Sequence, residues 1–307
     1  MSLDLRPLAV GELFDRAFVL YRRHFSLFVG ITSVPGLFAL IMTLAQQAFT
    51  TATMPQPAAP GNADAAVFVE NLTLIVSLFA GLMIALVVYW VVYMIALGAT
   101  TFAVSEIYVG RTVTIPEVYG RMRGRIGALI LLLLLIGIRI GGLVLVGTLV
   151  VGMSTAFGAL LNSILGGLFA VLTALVLIAG CTFMALRYSL SIPALVLEEL
   201  GPGDAIRRSI ALTQGRLGRV FLMVICATLV AYAALILFQG PFVAAAMFAG
   251  LETGHGFWLN VLGAVAGTIG TTLTTPFLII GLAVIYYDAR IREEGFDLEL
   301  SLAALDR

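Results

Sequence analysis

Residues 114–147, TIPEVYGRMRGRIGALILLLLLIGIRIGGLVLVG, decide how this chain is to be read. The stretch opens on a helix-start signal. Thr114 stands three residues before Glu117 with Pro116 between them, the pattern of a capping box with proline in the first turn. Arg121, Arg123 and Arg125 follow, and then an apolar run begins. A helix rising 1.5 Å per residue needs about 20 apolar residues to cross ~30 Å of hydrocarbon, and this run is longer than that.

Composition extends the reading to the whole chain. Its 307 residues are 61% hydrophobic and only 11% charged, with a mean hydropathy of +1.10. Soluble domains are ~25% charged, so a water-soluble fold could not hide this much apolar surface. Six runs are long enough to span a bilayer: residues 25–49, 72–97, 126–151, 164–186, 220–245 and 259–285. In lipid each backbone amide must be satisfied within its own segment, so the runs are expected as helices. The fold class expected is all-α, a polytopic membrane protein with six transmembrane helices.

Arginine sets the orientation. All 17 basic residues are arginine, and they alternate with the spans. Arg6, Arg16, Arg22 and Arg23 precede the first; Arg111, Arg121, Arg123 and Arg125 lie between the second and third. Arg187, Arg207, Arg208, Arg216 and Arg219 lie between the fourth and fifth, and Arg290, Arg292 and Arg307 follow the sixth. The segments at 50–71, 152–163 and 239–258 carry none. The positive-inside rule therefore places both termini and the basic segments in the cytoplasm. The amphipathic residues ahead of the first span do not have the short basic start and cleavage site of a signal peptide.

A repeat organises the basic segments. Ala9 to Glu12, Thr114 to Glu117 and Gly201 to Asp204 each place a small or turn residue three positions before an acid. Asp204 then lies where the helix dipole is positive. Arginines, an apolar run, a short outer loop and a returning run follow each time. The unit is an amphipathic elbow helix plus a helical hairpin, occurring three times within a single integral membrane domain, 1–307: 9–110, 114–200 and 201–295. In the first elbow, Val10, Leu13, Phe14, Ala17, Phe18 and Tyr21 recur at helical spacing against Glu12, Asp15, Arg16, Arg22 and Arg23, as in a helix lying in the headgroup layer. The returning helices should run past the membrane toward the elbows, and Pro193 should kink or break the fourth.

Candidate binding residues are the arginines. Arg22, Arg23, Arg121, Arg125, Arg207, Arg208 and Arg216 fit either topology and solvation or contact with anionic lipid or a partner's acidic surface. Arg139 stands near the middle of the third run, where a charge costs several kcal/mol. Three roles fit it: a side chain reaching back to the interface, a cavity-facing ligand for an anion or lipid phosphate, and a hydrogen-bond hub. Gln46, Gln47, Gln239, Asn162 and the threonines between Thr268 and Thr275 are partners by depth. Gly137/Gly141 and Gly263/Gly267 are GxxxG pairs suited to close helix approach. The first pair flanks Arg139 and implies a face buried in protein. The threonines preceding Pro276 suit carbonyls freed by a proline kink.

Catalytic signals are poor. His24 and His255 are isolated, Ser154 stands near an outer loop, and there is no HExxH or GxxxxGK[ST]. Asp288 to Arg290 is a fragment of a headgroup-transferase pattern without its further aspartates. Cys181 and Cys226, far from any CxxC spacing, read as small buried hydrophobes. No cofactor, metal site or nucleic-acid partner is expected.

The segments LRPLAVGELFDRAFVLYRRHF, AIRRSIALTQGRLGRVF and YYDARIREEGFDLEL resemble bacterial proteins named for the membrane domain of glycerophosphoryl diester phosphodiesterases, over residues 5–302. Position 9 is often serine in that family; alanine here removes the first capping box. The soluble phosphodiesterase domain, with its barrel, carboxylate metal ligands and paired histidines, has no counterpart in this chain. The resemblance thus implies a stand-alone membrane domain without diesterase activity. The function expected is a non-catalytic membrane scaffold or accessory protein, with a membrane-protein partner or homo-oligomer. The alternative is a lipid or amphiphile binder or transporter using Arg139 and the arginine clusters; a membrane-embedded enzyme ranks third.

Overall fold

The computed structural model describes residues 9–53, 65–161, 163–248 and 255–294. Ten helices and no strand occur among the described residues: α1 (Val10–Arg23), α2 (Phe25–Thr53), α3 (Ala65–Tyr108), α4 (Ile115–Arg123), α5 (Ile126–Leu161), α6 (Ser163–Tyr188), α7 (Ser191–Leu197), α8 (Pro202–Thr213), α9 (Leu217–Phe248) and α10 (His255–Glu294). Six are long and apolar enough to cross a membrane, and each overlaps one of the six runs read from the sequence, the second lying later in the chain at Phe79–Tyr108. A short helix, α1, α4 or α8, directly precedes each of α2, α5 and α9.

Local chemistry explains the helix starts. At α4, Pro116 lies in the first turn and the Glu117 carboxylate accepts the Thr114 N–H at 2.7 Å, forming the expected capping box. At α1, the Glu12 carboxylate accepts the Ala9 N–H at 2.8 Å. Loss of a serine at position 9 therefore removes only half of that box; the acid still reaches back. Helix α8 starts at Pro202 with Asp204 in its first turn. The buried face of α1 carries Leu13 and Ala17, whereas Phe18 is exposed.

Of the returning helices, α3 and α10 continue unbroken beyond residues 97 and 285. Between α6 and α7 the helix breaks at residues 189–190, just ahead of Pro193. Proline has no N–H to offer the carbonyl four residues back and clashes with it. Around the break, hydroxyls bond the carbonyls of the preceding turn. Ser189 Oγ donates to Leu186 O at 2.7 Å and Ser191 Oγ to Tyr188 O at 2.6 Å. Ser209, on α8, donates its hydroxyl to Arg187 O at 2.6 Å and accepts the Leu190 N–H at 3.2 Å. One buried side chain thus satisfies a donor and an acceptor at the break, and α7 continues with residues 191–196 buried.

Packing divides the chain into two compact units. The first takes in α1, α3 from Leu97, α4 to α8, α9 to Cys226 and α10 from Phe277. Its core contains Ala99, Val104, Met122, Leu129, Leu132, Leu195, Ile206, Leu212, Met223, Ile280 and Tyr286, all fully or nearly fully buried. Close backbone approach needs glycine at Gly98, where a side chain would meet Met122 and Val196. The second unit takes in α2, α3 to Ala96, α9 from Ala227 and α10 to Pro276. There Gly263 and Gly267 lie against Phe242 and Gln239, so this GxxxG pair serves close approach as expected. The carbonyl freed by Pro276, that of Thr272, accepts the Thr32 hydroxyl of α2 at 3.0 Å. The threonines of α10 itself bond back within their own helix, Thr271 to Gly267 O and Thr275 to Thr271 O.

Candidate functional site: a charged layer and the foot of a bare hairpin

The charged groups of the first unit converge on two adjacent acids that end α7. Glu198 is its C-cap. Its carboxylate accepts both bonds of Arg208 Nε at 3.0 Å and the Tyr286 hydroxyl, with Arg290 Nε at 3.6 Å. Glu199 turns the opposite way, to Arg125 and, at 3.6 Å, Arg121. Arg125 also donates to Leu195 O at 2.9 Å, tying α5 to the last turn of α7. Glu199 adopts φ +55°. This left-handed position after a helix end usually holds glycine, and an L side chain there costs about 1–2 kcal/mol. The conformation aims neighbouring carboxylates at different arginine sets.

A third acid, Asp288, is 2% exposed and receives Arg219 Nη1 at 3.0 Å and Arg292 Nε at 3.0 and 3.1 Å. It joins α9 to α10. Glu198, Glu199 and Asp288 carry the network, and sequence reading assigned them no role. The available signal was two carboxylates closing an apolar run in a chain whose polar segments are otherwise arginine-rich.

The singled-out arginines fall into three groups. Arg121, Arg125, Arg207 and Arg208 face the chain's own carboxylates, Arg207 through an exposed pair with Asp204 at 2.9 Å. Arg121 also lies over the Phe102 ring at 5.9 Å, beside a cavity of about 200 Å³ lined by Glu106, Arg125 and Glu199. Arg216 donates to Leu212 O at 3.4 Å, and Arg22 and Arg23 are exposed at the end of α1. Arg139 stands apart: it is exposed and its guanidinium lies over the Tyr188 ring at 5.9 Å.

The register of α5 against α6 places Arg139. Gly158 lies against Gly166, the Ser154 and Thr173 hydroxyls are 3.2 Å apart, Leu177 fills the space beside Gly147, and Leu143 reaches Gly180. Arg139 therefore lies beside the end of α6, level with Arg187 and Tyr188, rather than midway along the hairpin. No residue of α5 between Leu132 and Gly158 is buried, and none of α6 between Gly166 and Leu186. The glycine pair around Arg139 departs from expectation. Gly137 and Gly141 are exposed, with open space where a side chain would stand. The packed core begins only below Arg139, so this face has no neighbouring helix among the described residues.

Among the residues considered as partners of Arg139, Asn162 lies outside the described residues; so does the side chain of His255, one of the two histidines weighed for catalysis. His24 sets its ring edge-on to Phe28 at 6.4 Å between centroids. Cys181 and Cys226 are half-buried free thiols rather than fully buried ones. Among the described residues no group of three or more His, Cys, Asp or Glu side chains could hold a metal ion. Outside the spans, the Glu117 carboxyl is held below the usual carboxylate range by its bonds to Thr114, and burial pushes the Tyr119 hydroxyl up to about 12.

Comparison of the chain with protein-family models, with curated proteins and with solved structures gives no match.

Proposed function

We propose that this chain is a non-catalytic integral membrane scaffold or accessory protein of the bacterial plasma membrane, with both termini and the arginine-rich segments in the cytoplasm. The observation that carries this reading is the engagement of Arg121, Arg125, Arg208, Arg219 and Arg292 by Glu198, Glu199 and Asp288. Charges matched within the chain cross-link α4, α5, α7, α8, α9 and α10 into a rigid layer. The bare, apolar α5/α6 hairpin is then the surface left for a neighbour.

The threefold plan belongs to the same proposal. It is supported by the short helices before α2, α5 and α9 and by the acids that reach back at Ala9 and Thr114. The resemblance to stand-alone membrane domains of the glycerophosphoryl diester phosphodiesterase kind rests on the three segments quoted above. Lipid binding is the second reading, favoured by Arg139, which faces no carboxylate among the described residues.

Two measurements test the proposal. In a chain lacking Cys181 and Cys226, cysteines at Asn62, Ser154 and Thr253 should react with an impermeant reagent from outside intact cells. Reaction only after permeabilisation would overturn the topology. A photo-reactive residue at Leu145, on the exposed face of α5, should give a protein adduct of one reproducible mass in cells. Adducts of lipid mass alone would overturn the scaffold.

A further inference from the structure

We propose that Arg139 and Arg187 form a site for the phosphate of an inner-leaflet phospholipid at the foot of the α5/α6 hairpin. The site deepens the lipid-binding reading and rests on the hairpin's spanning the membrane.

The first argument is pairing. Arg125, Arg208, Arg219 and Arg292 each meet a carboxylate within hydrogen-bond reach. Arg139 and Arg187 meet none among the described residues and lie instead over aromatic faces, Tyr188 at 5.9 Å and Phe183 at 5.0 Å. Nε of Arg187 is enclosed and has no acceptor among the described residues, so on this half-buried side chain a lipid phosphate would meet the outer guanidinium nitrogens. A buried donor left without an acceptor is costly, more so for a charged group. A ring face holds a guanidinium plane in place while leaving its N–H edge open to an acceptor.

The second argument is level. From Gly158, beside Gly166 at the far end of the hairpin, to Arg139 is about 19 residues, or ~29 Å of helix. From Gly166 to Arg187 is about 21 residues, or ~32 Å. Both lengths match ~30 Å of hydrocarbon. The two segments carry no charge between those ends, and the one buried residue there, Leu186, is next to Arg187. If the hairpin tip stands at one face of the hydrocarbon layer, the two arginines stand at the other, with Tyr188 among the interfacial aromatics. Packing starts at that level with Leu186 and continues below it with Leu190, Leu129 and Leu132, all buried.

The third argument is chemistry. The abundant anion at that depth is the phosphodiester of a lipid headgroup. Guanidinium forks match phosphate oxygens with paired, charge-assisted hydrogen bonds. The bare faces of α5 and α6 above the arginines offer apolar surface to the same lipid's acyl chains. An inorganic phosphate would use the arginines but not that surface.

The test uses the full chain, delipidated in detergent, with dioleoylphosphatidylglycerol, dioleoylglycerol and inorganic phosphate as probes. The parent should bind the phospholipid, bind the phosphate-free diacylglycerol far more weakly, and lose little phospholipid to millimolar inorganic phosphate. Arg139→Gln with Arg187→Gln should weaken phospholipid binding about ten- to hundredfold, the loss of one or two charge-assisted bonds. Arg139→Gln alone, at an exposed position, covers the case in which the double variant does not fold. Unchanged binding in these variants, equal binding of diacylglycerol, or full competition by inorganic phosphate would each overturn the proposal. Labelling of Ser154→Cys from outside, run in parallel, separates the two failures: without it the spanning hairpin fails, and with it only the phosphate site does.

Discussion

Replacing Ser209 with alanine should be among the most damaging single-atom changes in this chain. The side chain is fully buried. Its oxygen donates to Arg187 O at 2.6 Å and accepts from Leu190 N at 3.2 Å, bridging the gap where α6 stops and α7 starts. Alanine keeps the volume but strands one carbonyl and one N–H. An unsatisfied buried group costs about 1–3 kcal/mol, so the pair amounts to roughly 2–6 kcal/mol. Because α7 presents Glu198 and Glu199, the damage should spread to the charged layer. Ser189→Ala is the matched control. Its hydroxyl only bonds back to Leu186 O in its own turn, and its loss should cost under ~1 kcal/mol. Both variants can be followed by circular dichroism during denaturant titration in mixed micelles. A Ser209→Ala protein within ~0.5 kcal/mol of the parent would refute the reasoning, because the break would then be satisfied by some other route.

Three further outcomes follow from the geometry. Gly158→Ala should destabilise by about 1–3 kcal/mol, since its new carbon would meet the Gly166 backbone, whereas Gly137→Ala should be neutral or stabilising because the space beside it is open; unfolding midpoints of the two variants should separate accordingly. Asp288→Asn should cost about 3 kcal/mol by removing the buried carboxylate that both Arg219 and Arg292 engage, while Glu199→Gln, at a side chain 63% exposed, should cost less than ~1 kcal/mol. Glu117 has a folded pKa held below its usual 4.5, so its contribution is full above that value and is lost as pH falls through the lowered folded pKa. The stability difference between parent and Glu117→Gln should therefore be constant near neutrality and vanish in acid; a difference that grew on acidification would reverse the assigned sign.

Much of the architecture was legible in the order of residues because it depends on local or additive physics. Six apolar runs must be helical in lipid, whatever their neighbours, since each helix satisfies its own backbone. The Thr114–Glu117 start and the break ahead of Pro193 are decided within one turn of chain, and both occur. The half-box at Ala9 shows the limit of pattern matching, because the acid keeps its bond when the hydroxyl is gone.

What tertiary structure decided was the fate of residues whose meaning depends on a partner. Gly137/Gly141 and Gly263/Gly267 are the same signature, yet only the second pair has side chains against it; a small residue permits approach but cannot supply the helix that approaches. Glu198 meets Tyr286 across 88 positions and Asp288 meets Arg219 across 69. No spacing rule reaches so far, and so arginines that read as a cytoplasmic surface are in part the fastenings of the fold. Arg139 depends on the register between two helices. Counted along the chain it stands deep in an apolar run; beside Tyr188 it stands at the hairpin's foot, because depth is set by where neighbouring helices align and not by where a run begins.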